Sequence, residues 1–171
     1  QKVAILGLGG VGTLVSRFLL HLNMDITGVD RKQPKNLPEA INFVSLDVTN
    51  QVELETLLKA HDAVISCLPY HLTLGVAKAA HKSECHYFDP TEDVETTNTI
   101  RKMAKTASHA MIPQNGLAPG FIGILGVYLV SKFDKSTKKD PTLRSIKLRV
   151  GALPQHPIGM LGYAGNWSLE G

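Results

Sequence analysis

The feature that most constrains this chain is a run of glycines placed between a buried strand and a helix. Val3-Ala4-Ile5-Leu6 is continuously apolar, the mark of a strand covered on both faces. Gly7-Leu8-Gly9-Gly10-Val11-Gly12 follows as G-x-G-x-x-G. Val11, Leu14, Val15, Phe18, Leu19 and Leu22 then recur at helical spacing, so they are expected on the buried face of a helix. Each outer glycine has its own task in such a turn. Gly7 permits the tight turn, Gly9 lets a ligand approach the backbone, and Gly12 lets helix and strand pack closely. The helix start then offers free N–H groups and a partial positive charge to a phosphate.

The motif alone is weak evidence, because a glycine-rich turn without a ligand has the same letters. Its context adds weight: Asp25 to Val29 reads as a second strand, and Asp30 ends it about 20 residues on, where a dinucleotide's ribose hydroxyls meet an acid. A carboxylate at Asp30 repels a 2′-phosphate and favours NAD. Arg31 would clamp that phosphate and favour NADP, or stand as an ordinary exposed cation. NAD or NADP is therefore the expected cofactor, with a slight lean to NAD.

Strand and helix continue to alternate. Ile41–Leu46, Asp62–Ser66, Cys85–Phe88 and Ala110–Pro113 read as strands. Gln51–Lys59, Leu72–His81 and Glu92–Ala107 read as helices. This is the pattern of an α/β Rossmann fold, a doubly wound parallel sheet, over residues 1–116. Ligands then lie outside the carboxyl ends of the strands. From Leu117 the pattern changes to an apolar helix over Gly120–Phe133 and an alternating strand over Ser145–Val150. Residues 117–171 are expected to begin a second, α+β substrate domain. Gln1 is an unusual first residue and Ser168–Gly171 ends abruptly, so more chain is expected beyond both.

The strand-end rule selects the candidate residues. Asp47 and Val48 lie where an adenine edge would sit, although Asp47 also suits a helix N-cap, a place Thr49 or Asn50 fills better. Cys67, Leu68 and Pro69 would pass over the middle of a dinucleotide. Cys67 is either a reactive thiol or a small filler. Asp89 would pair with an ammonium or serve as a base, or else shape the turn before Pro90 or cap a helix. Asn115 would hydrogen-bond the nicotinamide end or make an Asx turn. His71 would shuttle a proton or simply open a helix on the surface.

Composition excludes several classes. With 43% hydrophobic and 19% charged residues the chain can bury a core. A net charge of +3 is too slight for a nucleic-acid surface, and the lysines at 132, 135, 138 and 139 are interleaved with Asp134 and Asp140. Two cysteines make no disulfide framework, so a reducing cytoplasm is the default. Neither a membrane span nor a metal site is expected.

Ala63–Pro69, Tyr87-Phe88-Asp89 and Asn115–Gly120 resemble the saccharopine dehydrogenase and saccharopine reductase family. So do Gly151–Pro154, Pro157, Gly159, Tyr163 and Trp167–Gly171, which are closest to its lysine 6-dehydrogenase branch. The resemblance implies an oxidoreductase that makes or breaks a C–N bond of a lysine- or polyamine-like amine through an imine. It also implies a homodimer. Relatives often carry an acid just before the G-x-x-P-G turn, where this chain has Gln114-Asn115. The competing reading is a regulatory NAD(H)-sensing domain, which uses the same turn and does no chemistry.

Overall fold

The structure, a computed structural model, describes residues 1–133, 143–149, 151, 155–156 and 159–160. It forms two compact units, Gln1–Asn115 and Gly116–Gly171. The first carries β1 (Lys2–Leu6), α1 (Gly10–His21), β2 (Asp25–Asp30), β3 (Asn42–Ser45), α2 (Gln51–Leu58) and β4 (Ala63–Ser66). It continues through α3 (Tyr70–Lys82), β5 (His86–Phe88), α4 (Val94–Ala104) and β6 (Met111–Ile112). The six strands form one sheet in the order β3-β2-β1-β4-β5-β6. All five pairings are parallel. This is the doubly wound Rossmann arrangement, with its strand order reversing between β1 and β4.

β1 explains why its sequence has no polar alternation. Val3 and Ile5 join Leu8, Ile26 and Ile41 in one apolar cluster. Ala4 and Leu6 join Leu54, Leu58, Val64, Val76 and Tyr87 in the other. Two clusters on opposite sides of one strand require side chains that are apolar at every position.

Helix α1 departs from expectation. Gly12 and Ser16 are its buried residues. Val15 and Leu19 are partly buried against the first cluster. Val11, Leu14, Phe18 and Leu22 are 45–66% exposed. The cause is the closeness of helix to strand: a row of small residues meets the sheet, and most of the larger ones are turned aside. Helices α2 and α4 are capped by side chains, Asn50 accepting from the Glu53 amide and Asp93 from the Thr96 amide.

At the amino ends of the strands three imidazoles gather. His81 and His86 flank His109 at ring-centroid distances of 5.5 and 6.5 Å. Both His109 ring nitrogens are buried without a hydrogen-bond partner among the described residues. Burial first, and then the nearby His81 and His86, hold His109 below the usual histidine range, while Glu84 opposes them. Its folded pKa is thus depressed, so its contribution is complete above the unfolded value of about 6.5 and is lost as pH falls through the lower folded value. Thermal unfolding at pH 7.5 and 5.5 checks this. The drop in Tm on acidification is expected to shrink in His109→Phe, and an unchanged drop would contradict the assignment.

The second unit carries α5 (Phe121–Lys132). The strand expected over Ser145–Val150 is not seen among the described residues: residues 143–149 carry no regular secondary structure, and Val150 lies outside the described residues. Among the described residues that alternation has no neighbouring strand to turn it into a ladder. Asp134, Lys135, Lys138, Lys139, Asp140, Ala152–Pro154, Pro157, Tyr163 and Trp167–Gly171 also lie outside the described residues.

Candidate cofactor and active site

Gly7 leaves β1 with φ +87°, a left-handed conformation that favours glycine. Its amide donates to the Val29 carbonyl at 2.9 Å, tying the turn to the neighbouring strand. A Cβ placed on Gly12 would lie 1.8 Å from the Gly7 carbonyl oxygen. Position 12 therefore admits only glycine while the turn keeps its shape. Gly9 and Gly10 are the opposite case, since a Cβ on either would meet nothing within 4 Å. That open space lies at the start of α1, where Gly9 is the N-cap without a side-chain hydrogen bond and the first turn holds no acid. The first amides of α1 are thus left for an external anion. These are the demands of a pyrophosphate: bare backbone, unclaimed donors and no competing carboxylate in the helix.

Asp30 stands beside this turn at the end of β2. Its Oδ2 accepts from the Leu8 amide at 2.8 Å and its Oδ1 from the Arg31 amide at 2.7 Å. The sequence reading missed this latch between carboxylate and turn. It also missed Thr13, whose hydroxyl donates to the Leu8 carbonyl at 3.0 Å. Each carboxylate oxygen keeps a second lone pair for a ribose hydroxyl.

Arg31 and Asp47 share the next corner. The amide and hydroxyl of Thr49 donate to Asp47 Oδ1 at 3.0 and 2.7 Å. These bonds, and then the positive charge of Arg31, hold Asp47 below the usual carboxylate range. The side chain that caps α2 is that of Asn50. Val48 is buried behind the loop.

Cys67 closes the floor, with its carbonyl 2.9 Å from where a Gly7 Cβ would be. Burial pushes its thiol up to about 11, which disfavours the thiolate at neutral pH and suits the small-filler reading. Pro69 precedes α3, which starts two residues earlier than expected, at Tyr70. His71 is accordingly an exposed helix residue, edge-on to Tyr70.

On the far side of the reversal point, Asp89 follows directly on β5. It is 1% exposed, and its Oδ1 accepts from the Thr91 amide at 2.7 Å. Its carbonyl accepts from the Asn115 amide at 2.7 Å, which joins the ends of β5 and β6. Burial pushes Asp89 up, against the opposing influence of the Tyr87 hydroxyl and the Thr91 and Gln114 amides. The Asn115 side chain donates through Nδ2 to the Ile112 carbonyl. No group of three or more metal-ligating side chains is arranged to hold an ion among the described residues. No helix among them is long and apolar enough to cross a membrane.

The family model described as "Saccharopine dehydrogenase NADP binding domain" matches residues 3–118. The chain belongs to that family. Mitochondrial alpha-aminoadipic semialdehyde synthase of Mus musculus is 31% identical over 179 residues, covering all of this chain and 19% of that protein. The NADP(+), L-glutamate-forming saccharopine dehydrogenase of Saccharomyces cerevisiae is 25% identical, covering all of this chain and 39% of that protein. The chain therefore spans about a fifth to two fifths of these relatives' length. The apo structure of the L-Glu-forming yeast enzyme superposes with a TM-score of 0.65 at 24% identity, over 78% of this chain and 30% of that one. At that identity it supports the fold.

A nicotinamide cofactor follows from the family. The lean to NAD finds no support, since the family's description and the yeast relative's name both specify NADP. The mammalian relative is named as mitochondrial, so the cytoplasmic expectation finds none there either.

Proposed function

We propose that this chain is the NADP(H)-binding part of an oxidoreductase that makes or breaks a C–N bond of a lysine- or polyamine-like amine through an imine. The observation that carries the reading is the open, uncapped glycine turn at the reversal point of the sheet, latched to Asp30. The comparisons favour the oxidoreductase family over the sensor alternative.

The residues present fit the cofactor. The amides at Gly9, Gly10, Val11 and Gly12 would hold the pyrophosphate, and Asp30 the adenosine ribose. Arg31 would clamp the 2′-phosphate, while Asp47 and Val48 would border the adenine. Cys67, Leu68 and Pro69 would face the middle of the cofactor. Asp89 and Asn115 would serve the end where hydride is exchanged. When bound, the nicotinamide supplies or accepts the hydride. The chain's part is to orient the amine carbon, exclude water and manage one proton. Residues from Leu117 onward are assigned to the start of a substrate and dimerisation domain, with a homodimer as the assembly.

Arg31→Ala is expected to weaken NADPH by about 10- to 100-fold, the value of one or two charge-assisted hydrogen bonds, and to leave NADH nearly unchanged. Parallel fluorescence titrations read this, and equal losses for both nucleotides would contradict the role of Arg31. The function itself is tested by turnover of the complete protein with NADP⁺ against saccharopine, lysine and polyamines, in both directions. Reduction of NADP⁺ by at least one amine is expected. A cofactor-loaded protein inert toward every amine would leave the sensor reading in its place.

A further inference from the structure

We propose that the apolar stripe on α1 and the open sheet face beside it seat a helix of the same polypeptide, supplied in the complete protein by the chain that follows Gly171. The direction in which the chain crosses the sheet creates this face. The step from β1 to β2 runs one way along the sheet and carries α1 over one side. The steps from β3 to β4, β4 to β5 and β5 to β6 run the opposite way. Right-handed crossovers therefore place α2, α3 and α4 together on the other side. No helix links β2 to β3. Among the helices of the first unit, α1 is thus alone on its side.

Burial records the imbalance strand by strand. In β4 Val64 and Ser66 are buried on the three-helix side, while Ala63 and Ile65 on the other are only partly buried. In β5 Tyr87 is buried and Phe88 partly buried. In β6 Met111 is buried and Ile112 is 43% exposed. Yet Ile65, Phe88 and Ile112 are as apolar as residues of a strand covered on both faces. Leu14, Phe18 and Leu22 on α1 are 53–66% exposed. Arg17, on the opposite flank of that helix, donates to the Asn36 carbonyl in the β2–β3 loop, so the stripe faces the β4 side. Between α1 and the strands lies a groove of about 300 Å³, whose lining includes Leu19, Met24, Ala63, Ile65 and Phe88. The stripe from Leu14 to Leu22 is about 12 Å long, which a helix of two to three turns matches.

Two observations select the occupant. The chain covers only 19% of the mouse relative and 39% of the yeast one, so proteins of this family have ample further chain. The chain also leaves the sheet after β6 for a second unit that begins at Gly116, and a helix returning from that excursion would close the face. Parallel sheets are ordinarily covered in this way, by helices of their own chain.

The test uses the complete protein with the photocrosslinking residue p-benzoylphenylalanine at position 18 and, separately, at position 112. After irradiation, denaturing electrophoresis and peptide mass spectrometry are expected to show a crosslink within one chain, from each position to a peptide downstream of Gly171. A crosslink to a second copy, to another protein, to a peptide within or upstream of residues 1–171, or no crosslink at all overturns the proposal. Phe18→Asp gives a second readout. A charge placed in an apolar contact is expected to lower the Tm of the complete protein by about 5 °C or more. At an open surface position the Tm would stay within about 1 °C, and that result overturns the proposal. Neither readout needs turnover, so both decide the question even if every amine is inert.

Discussion

Replacing Gly12 with alanine is expected to lower the Tm by about 10 °C or more and to remove nucleotide binding with it. The added Cβ would lie 1.8 Å from the Gly7 carbonyl oxygen, a backbone atom that cannot rotate away. Relief requires moving α1 off the strand or deforming the turn, and either uncovers the cluster in which Val3, Ile5 and Ile26 meet the helix. Overpacking of this kind costs about 3 kcal/mol at the upper end of the usual range. For a domain of roughly this size each kcal/mol is worth about 4 °C. Circular dichroism melting of wild type and Gly12→Ala checks the expectation. A variant that melts with wild type would mean that helix and turn separate freely, and the close-packing account of position 12 would be wrong.

Gly9→Val is expected to do the reverse: it keeps the Tm within about 2 °C and weakens the cofactor by about 100-fold or more. The backbone at Gly9 has φ −70° and ψ −163°, an extended conformation open to any L residue. No atom lies within 4 Å of the new Cβ, so nothing in the fold resists it. The same open space is where a pyrophosphate must approach the amides of α1. A valine there shields two or more charge-assisted hydrogen bonds, each worth about 1.5–3 kcal/mol. Calorimetric titration beside a melting curve separates the two effects. Full affinity in Gly9→Val would mean that the dinucleotide binds elsewhere. Together the two glycines distinguish a position the fold requires from one the ligand requires, within four residues of one motif.

The sequence exposed the sheet because each buried strand has its own signature. β1 is apolar at every position from Val3 to Leu6, and the glycine turn with Asp30 fixes which end of the sheet is the functional one. The boundaries of β5 and β6 were read too generously, since Cys85 and Ala110 are apolar but lie outside the paired registers. The stripe on α1 misled for a clearer reason. Val11, Leu14, Phe18 and Leu22 look like a core face, yet Gly12 and Ser16 are what the helix buries. Periodicity locates an apolar surface but not the closeness of the packing that selects among its rows. Ser145–Arg149 alternates like a strand and pairs with nothing described.

At the site, residue types were legible and their bonds were not. Asp30 could be placed from its spacing, but its bond to the Leu8 amide depends on two segments 22 residues apart. Asp89 was picked out by its position after β5. That its carboxyl is buried follows from how β5, the Thr91 turn and Asn115 converge, and no local pattern carries this. The bond from Arg101 Nη2 to Gln114 Oε1 was not foreseen because helix α4 and the end of β6 become neighbours only in the folded sheet.

The central claim is that the crevice at the carboxyl ends of β1, β2 and β4 holds NADP(H). Calorimetric titration of the complete protein with NADPH and, separately, NADH tests it most directly. Saturable binding of NADPH at one site per chain, tighter than that of NADH, is the predicted result. A protein that melts cooperatively and gives no binding heat with either nucleotide across a range of temperatures would contradict it.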